Sequence, residues 1–306
     1  MTGPALARVG LLAAFVLTLT EAAAMDIRAL WDFDDPARSE AVFREHLARA
    51  RGDDALSLQT QIARTYSLRS RFADAHALLD RIEPELAAAG PEPKVRHLLE
   101  RGRTWRSDGR IDRARPLFLQ AVDTAVAAGL EDLAIDAIHM MALVEPAPAD
   151  QMRWNRRALA AAQQAGDPAA RNWDASLANN IGMTLHDEGR FEEALASFRS
   201  ALAARERIGR PAGVHVAHWM IAWTLRSLAR HEEALVILYR LEREDGVAAM
   251  APDGFVAEEI AENLLAQGQA REARPWFAQA HALLSQASAL DRPDEQRLAR
   301  LLELSR

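Results

Sequence analysis

Apolar positions in this chain recur at helical spacing, and they recur as pairs. An alanine stands four residues before a leucine or phenylalanine at Ala75/Leu79, Ala114/Phe118, Ala194/Phe198, Ala234/Leu238 and Ala273/Phe277. Residues at i and i+4 share one face of an α-helix, so each pair presents a small and a large side chain together. The pairs follow one another at 39, 80, 40 and 39 residues, the 80 being two units. Repetition at that period predicts stacked helices that meet at the same place each time. Twelve residues before each alanine stands another small residue: Ala63, Gly102, Gly182, Ala222 or Ala261. Three further on come Tyr66, Trp105, Leu185, Leu225 and Leu264. This predicts a preceding helix that approaches closely at the small residue, with the bulky one filling the adjoining gap. Between the two helices Gly109, Gly189 and Gly268 mark a turn, with Ser70 and Ala229 in the other copies. Each unit reads as helix, tight turn, helix, without strand-like alternation.

A second set of glycines punctuates the units. Gly52, Gly90, Gly129, Gly166, Gly209 and Gly246 end apolar-periodic stretches at spacings of 38, 39, 37, 43 and 37. Proline follows in Gly90-Pro91, Gly166-Asp167-Pro168 and Gly209-Arg210-Pro211. Glycine just past a helix, with proline soon after, reads as a C-terminal stop.

These residues resemble the tetratricopeptide repeat family. The clearest copy is Leu177 to Ala201, with Ile181-Gly182, the turn Gly189, the aromatic Phe191, then Ala194, Phe198 and Ala201. Residues 101 to 121 form the second clearest. The resemblance covers about residues 55–287, or some six units. It implies an all-α protein, a right-handed superhelical α-solenoid of stacked antiparallel helix pairs. The period is nearer 40 than the usual ~34, a longer form similar to the repeats of kinesin light chain and related peptide-binding arrays. The unit at residues 131–165 departs from the pattern. Glu145-Pro146-Ala147-Pro148 replaces its glycine turn, and its register stays open. Asp35-Pro36 reads as a helix start, with a capping carboxylate and proline at the first helical position. We expect an N-terminal cap helix over 36–50 and a C-terminal one over 293–305, all within one elongated domain, 25–306.

Composition agrees with helix. Of 306 residues only 15 are Gly and 13 Pro, and hydrophobic and charged residues make up 49% and 26%, as in globular chains. The net charge of −7 gives no general pull toward nucleic acid. Lys94 is the sole lysine, a bias a GC-rich genome would produce. Without cysteine there are no disulfides, thiolate metal sites or cysteine nucleophiles. Residues 1–24 carry Arg8, an apolar run from Val9 to Leu19 and a small-residue Ala22-Ala23-Ala24. They read either as an export signal, which would make the protein periplasmic, or as a mis-called start with Met25 the true one, which would leave it cytoplasmic. The run is too short for a stable membrane span.

Catalytic patterns are missing: no P-loop, no dinucleotide fingerprint, no nucleophile elbow, no HExxH. His215 and His218 stand at i, i+3 without an evident third ligand, which favours a packed or solvated pair over a metal site. Glu192-Glu193 and Glu232-Glu233 recur at equal repeat positions, where acidic residues early in a helix complement its dipole. No catalytic residue, metal or cofactor is expected. An enzyme centred on His139 and Glu145 in the irregular unit is the least favoured reading.

The resemblance implies where a ligand would lie: on the concave surface lined by the first helix of each unit. Carried over copy by copy, the lining is Arg64, Arg96, Arg103 and Arg106, then Asn179, Asn180, Met183 and His186, then Trp219, Trp223 and Arg226, and last Glu258, Glu259 and Glu262. Each has a plainer alternative: tryptophan as core filler, asparagine as an exposed or capping residue, charge clusters as solvated faces. The expectation is a non-catalytic scaffold that binds a protein or peptide segment, its acidic end near Arg103 and its basic end near Glu262. A peptide- or signal-responsive regulatory sensor is the alternative.

Overall fold

The computed structural model describes residues 25–33, 35–245, 253–287 and 293–306. The candidate export segment, 1–24, and Gly246 lie outside them. The described residues form fifteen α-helices and no strand. In chain order these are α1 (Pro36–Leu47), α2 (Gly52–Leu68), α3 (Phe72–Ile82), α4 (Pro91–Ser107), α5 (Ile111–Ala127), α6 (Glu131–Ala142), α7 (Pro148–Gln164) and the single turn α8 (Pro168–Arg171). They continue as α9 (Trp173–Asp187), α10 (Phe191–Ile208), α11 (Pro211–Ser227), α12 (His231–Asp245), α13 (Gly254–Ala266), α14 (Ala270–Leu284) and α15 (Glu295–Leu304). Short 3₁₀ turns occupy Ile27–Leu30 and Glu83–Ala87.

Helices pack on their sequence neighbours: α2 on α3, α4 on α5, α6 on α7, α9 on α10, α11 on α12 and α13 on α14. Each second helix also meets the first helix of the next pair, and α2 packs on α4 as α11 does on α13. This is the all-α solenoid that the repeats imply. Its apolar interior follows the chain as three successive clusters, centred on Phe43 and Leu79, on Phe118 and Met141, and on Phe198 and Phe277. Each unit therefore rests on its neighbours alone, as in other repeat arrays.

The small and large positions meet as their spacing requires. At Gly102 a Cβ would stand 2.5 Å from the ring of Phe118, so nothing larger than glycine fits without a shift. Ala114, Phe118, Ala194, Phe198 and Ala234 are fully buried. All five turn residues are left-handed: Ser70 (φ 58°), Gly109 (76°), Gly189 (72°), Ala229 (55°) and Gly268 (78°). Each turn closes with the same bond, running from the residue immediately after it to the bulky residue of the first helix. In one copy Arg190 N donates to Leu185 O at 2.9 Å, and in another Arg110 N to Trp105 O at 2.8 Å. That is the helix-terminating bond of a left-handed cap.

The glycines between units divide. Gly129 and Gly209 are left-handed just past α5 and α10, as a C-terminal stop requires, whereas Gly52, also left-handed, opens α2, five residues past the end of α1. Gly90 is extended and precedes α4. Its N–H donates to Asp53 at 3.0 Å, and that of Gly166 donates to Glu131 at 3.2 Å. In both, an acid in the first turn of the unit's first helix ties down the loop that ends the unit. In the irregular unit α6 is only 12 residues long. There the Glu145 carboxylate is buried and accepts from Arg115 at 2.9 Å. Asp35 caps α1, accepting from Arg38 N at 2.9 Å, and Asp294 caps α15, accepting from Arg297 N at 2.8 Å.

Candidate functional site

The first helices α2, α4, α6, α9, α11 and α13 carry all the residues assigned to a groove, and side chains bridge from one to the next. At the N-terminal end the bridges are ionic. Arg64 of α2 donates to Glu100 of α4 at 3.4 Å. Arg103 donates to the same Glu100 oxygen at 2.7 Å and also pairs with Asp136 of α6. Burial would raise the Asp136 carboxyl, but the guanidinium groups of Arg103 and Arg64 outweigh it and hold it below the usual carboxylate range. Arg103 is likewise held charged: burial opposes, and Asp136 and Glu100 prevail. Arg96 is taken by Glu92 at 2.8 Å within its own helix. Arg106 is half-buried and makes no ion pair among the described residues.

The middle of the face is aromatic. His186 of α9 stacks on Trp223 of α11, centroids 3.5 Å apart and planes at 21°. Trp223 stacks on Trp219, one turn earlier, at 5.9 Å and 11°. Trp219 meets the Phe255 ring of α13 edge-on at 6.3 Å, and its indole N–H donates to Phe255 O at 3.2 Å. His186 Nε2 lies 2.9 Å from the Ser227 hydroxyl. Burial pushes the His186 imidazole below its ordinary value, with Asp187 opposing and Arg226 adding to the fall. The tryptophans pack against the core with one side and keep part of their surface open. Met183 packs against the same apolar core. Asn179 accepts from Arg205 at 3.4 Å, whereas the Asn180 amide has no hydrogen bond among the described residues.

At the C-terminal end the acids are engaged within the chain. Arg226 grips Glu259 with two bonds, 2.7 and 2.8 Å. Arg297 of α15 does the same to Glu258, at 2.8 and 2.7 Å, and Arg300 holds Glu262, with one bond at 3.1 Å. Glu258 and Glu259 are buried. They therefore fasten α15 and α11 to α13 and present no open acidic end. The fourteen assigned residues fall mostly into two groups. Arg64, Arg103, Arg226, Glu258, Glu259 and Glu262 knit neighbouring helices, whereas His186, Trp219 and Trp223 stack into one patch, with Asn179, Asn180 and Met183 on the same helix as His186. Arg96 is held within its own helix. Arg106 stands apart.

Several residues of this face lie beyond the sequence reading. Glu100, Asp136 and Phe255 are bridging partners whose importance only the packing reveals. Arg297 and Arg300 had a legible signal: their i, i+3 spacing nearly matches that of Glu258 and Glu262. A further contributor is the segment before α1. Trp31 donates to Gln61 at 3.0 Å, and Arg64 lies over the rings of Trp31 and Phe33 at 5.4 and 5.3 Å.

The histidines weighed as metal ligands part company. His215 bonds Asp253 at 3.2 Å, while Arg240 donates to His218 at 2.9 Å. Among the described residues no three His, Asp or Glu side chains converge on one point, and no helix there is long and apolar enough to cross a membrane. His139 lies against Trp173, 5.7 Å between centroids.

The tetratricopeptide repeat model matches residues 173–241, the stretch that includes α9 to α11 and the aromatic patch. Solved structures extend the likeness. RapI in its apo form has a TM-score of 0.70 at 13% identity, covering 91% of this chain and 82% of that one. BtubC (BKLC) from P. vanneervenii has 0.55 at 16%, covering 74% and 93%. NprR in complex with its cognate peptide NprX has 0.51 at 14%, covering 91% and 81%. At these identities the likeness is one of fold. No curated protein matches the chain in sequence.

Proposed function

We propose that this chain, whose residues 173–241 match the tetratricopeptide repeat model, is a non-catalytic scaffold that binds an extended peptide segment against its first helices, at the patch on α9 and α11. The observation that carries this is the stack His186–Trp223–Trp219, built across two units and left partly open. Half-open stacked indoles offer a large rigid apolar area at small entropic cost, which is what binding anchors need. Asn180 stands one turn from Met183 on α9, with its side-chain amide uncommitted among the described residues. Such an amide both donates and accepts, so it suits the backbone of a peptide in extended form. That NprR, a protein of similar fold, was solved with a peptide bound makes this use of the fold physically reasonable.

The test is the double substitution Trp219→Ala/Trp223→Ala in the full chain. Crosslinked partners recovered from the native cell would be compared between the two proteins, with circular dichroism confirming the helices. Loss of a specific partner supports the reading, and an unchanged partner set with a folded variant overturns it. The sensor reading uses the same groove and adds a change of curvature. Small-angle scattering with and without the recovered partner peptide separates it from a passive scaffold.

A further inference from the structure

The face carries a second candidate subsite, at the opposite end from the aromatic patch, and the chain's own residues 27–33 lie on it. This strap runs from α2 to the start of α9. Trp31 is bonded to Gln61 of α2, and its ring stacks on Phe33 at 4.7 Å with planes 2° apart. Arg64 covers both rings. Three to five residues earlier in the strap, Arg28 pairs with Asp132 of α6, lies over the Trp173 ring of α9 at 5.4 Å, and donates to Ala169 O at 3.4 Å. So seven residues of this chain make the contacts expected of a bound peptide: an aromatic anchor at one end and a cation at the other.

Two observations show that the fit is incomplete. Arg64 Nε and Glu100 Oε2 are buried without a hydrogen bond, and Glu100 is only 2% exposed. A buried polar atom without a partner is costly, so the polar floor beside the strap's rings is unsatisfied. The strap is also loosely covered. Phe33 is 59% exposed, and a cleft of about 570 Å³ separates residues 29–33 and α1 from Arg210.

We infer that residues 27–33 are a displaceable internal ligand of this end of the groove. The subsite takes an extended peptide with an arginine three residues before an aromatic anchor and a second aromatic two residues beyond it. An external segment of that kind competes with the strap, so the strap sets a threshold for binding. The inference rests on the reading of the first-helix face as a peptide groove, but it concerns α2 to the start of α9 and not the tryptophans of α11.

The experiment uses the full chain and a fluorescent synthetic peptide of residues 25–33. Arg28→Glu releases the strap's cationic end at a half-exposed side chain and leaves the core untouched. The expected result is a peptide affinity at least roughly tenfold higher than that of the unsubstituted chain, the scale of one lost ion pair and cation–π contact together. Amides 27–33 should exchange faster with deuterium in the same variant. Adding Arg64→Ala should abolish the gain, and a peptide carrying Trp31→Ala and Phe33→Ala should not bind. Trp219→Ala/Trp223→Ala should bind the peptide as the unsubstituted chain does, which separates this subsite from the patch on α11. Equal affinity in the Arg28→Glu and unsubstituted chains, or equal binding of both peptides, overturns the inference and leaves the α11 patch standing on its own test.

Discussion

The ring of Phe198 lies on the bare Cα of Gly182: a Cβ added to that glycine would stand 2.7 Å from the ring's Cε1. The same contact joins Gly102 and Phe118 one unit pair earlier. Where the first-helix residue is alanine, the partner position holds the smaller Leu79 and Leu238 opposite Ala63 and Ala222, but Phe277 opposite Ala261. Volume is therefore traded across the helix pair in four of the five copies. Gly182→Ala should destabilise the protein by about 1–3 kcal/mol through overpacking, despite alanine's better helix propensity. Phe198→Leu alone should cost about 1–2 kcal/mol by leaving a void. Together they recreate the Ala222/Leu238 combination, and the double variant should be more stable than the sum by about 1–2 kcal/mol. Urea unfolding of the four proteins measures that coupling.

Ser70 and Ala229 hold the left-handed turn that glycine holds in three other copies. A Cβ in that conformation costs about 1–2 kcal/mol, part of which glycine returns through its more flexible unfolded chain. Ala229→Gly should thus raise stability by about 0.5–1 kcal/mol, seen as a higher melting temperature. Gly189→Ala should lower it by a similar amount.

Asp136 is the counter-charge of a guanidinium that is only 13% exposed. Removing it leaves Arg103 and Arg64 to share the single buried carboxylate of Glu100, a loss that approaches the cost of breaking a buried pair, about 3–5 kcal/mol. Asp136→Ala should unfold at lower denaturant than Asp150→Ala, whose ion pair with Arg153 is on the surface. Chemical denaturation of the two variants, side by side, checks this.

Four histidines, at 76, 97, 139 and 186, are held below their ordinary value by burial. At His139 Asp136 opposes the fall and Arg103 adds to it. The unfolded chain takes up protons near pH 6.5 that these folded sites still refuse. Stability is therefore full above that pH and declines as the pH drops through it toward the lower folded values. His139→Gln removes one such group, so its melting temperature should fall less between pH 7.5 and 5.5 than that of the unsubstituted chain. An equal fall in both would refute the assignment.

Much of this architecture is written in local and periodic signals. The left-handed turns at Gly109, Gly189 and Gly268, with Ser70 and Ala229 in equivalent places, follow from a conformational demand within a few residues. The meeting of Gly102 with Phe118 follows from a 16-residue spacing that one helix hairpin fully defines. Even the acids early in the second helices had a local explanation, and Glu193 and Glu233 do accept from Arg190 and Arg230 beside them. Gly90 escaped the same logic because its role is extended backbone bound to Asp53, 37 residues away.

The groove residues were legible as a set but not in their roles. Whether a side chain on a first helix reaches solvent or the next first helix depends on how consecutive units are staggered. That stagger is a property of the stack and of no single repeat. Arg103 reaches Asp136 and Arg226 reaches Glu259, each 33 residues on, and Arg297 reaches back 39 to Glu258. Charges that read as a ligand's docking points are thereby used to join helices, while the His186, Trp223 and Trp219 rings stay partly open. The strap is the extreme case. Arg28 meets Ala169 across 141 residues, a contact that no pattern in the chain marks, because it exists only once the stacked units have curved far enough to bring α8 back toward the segment before α1.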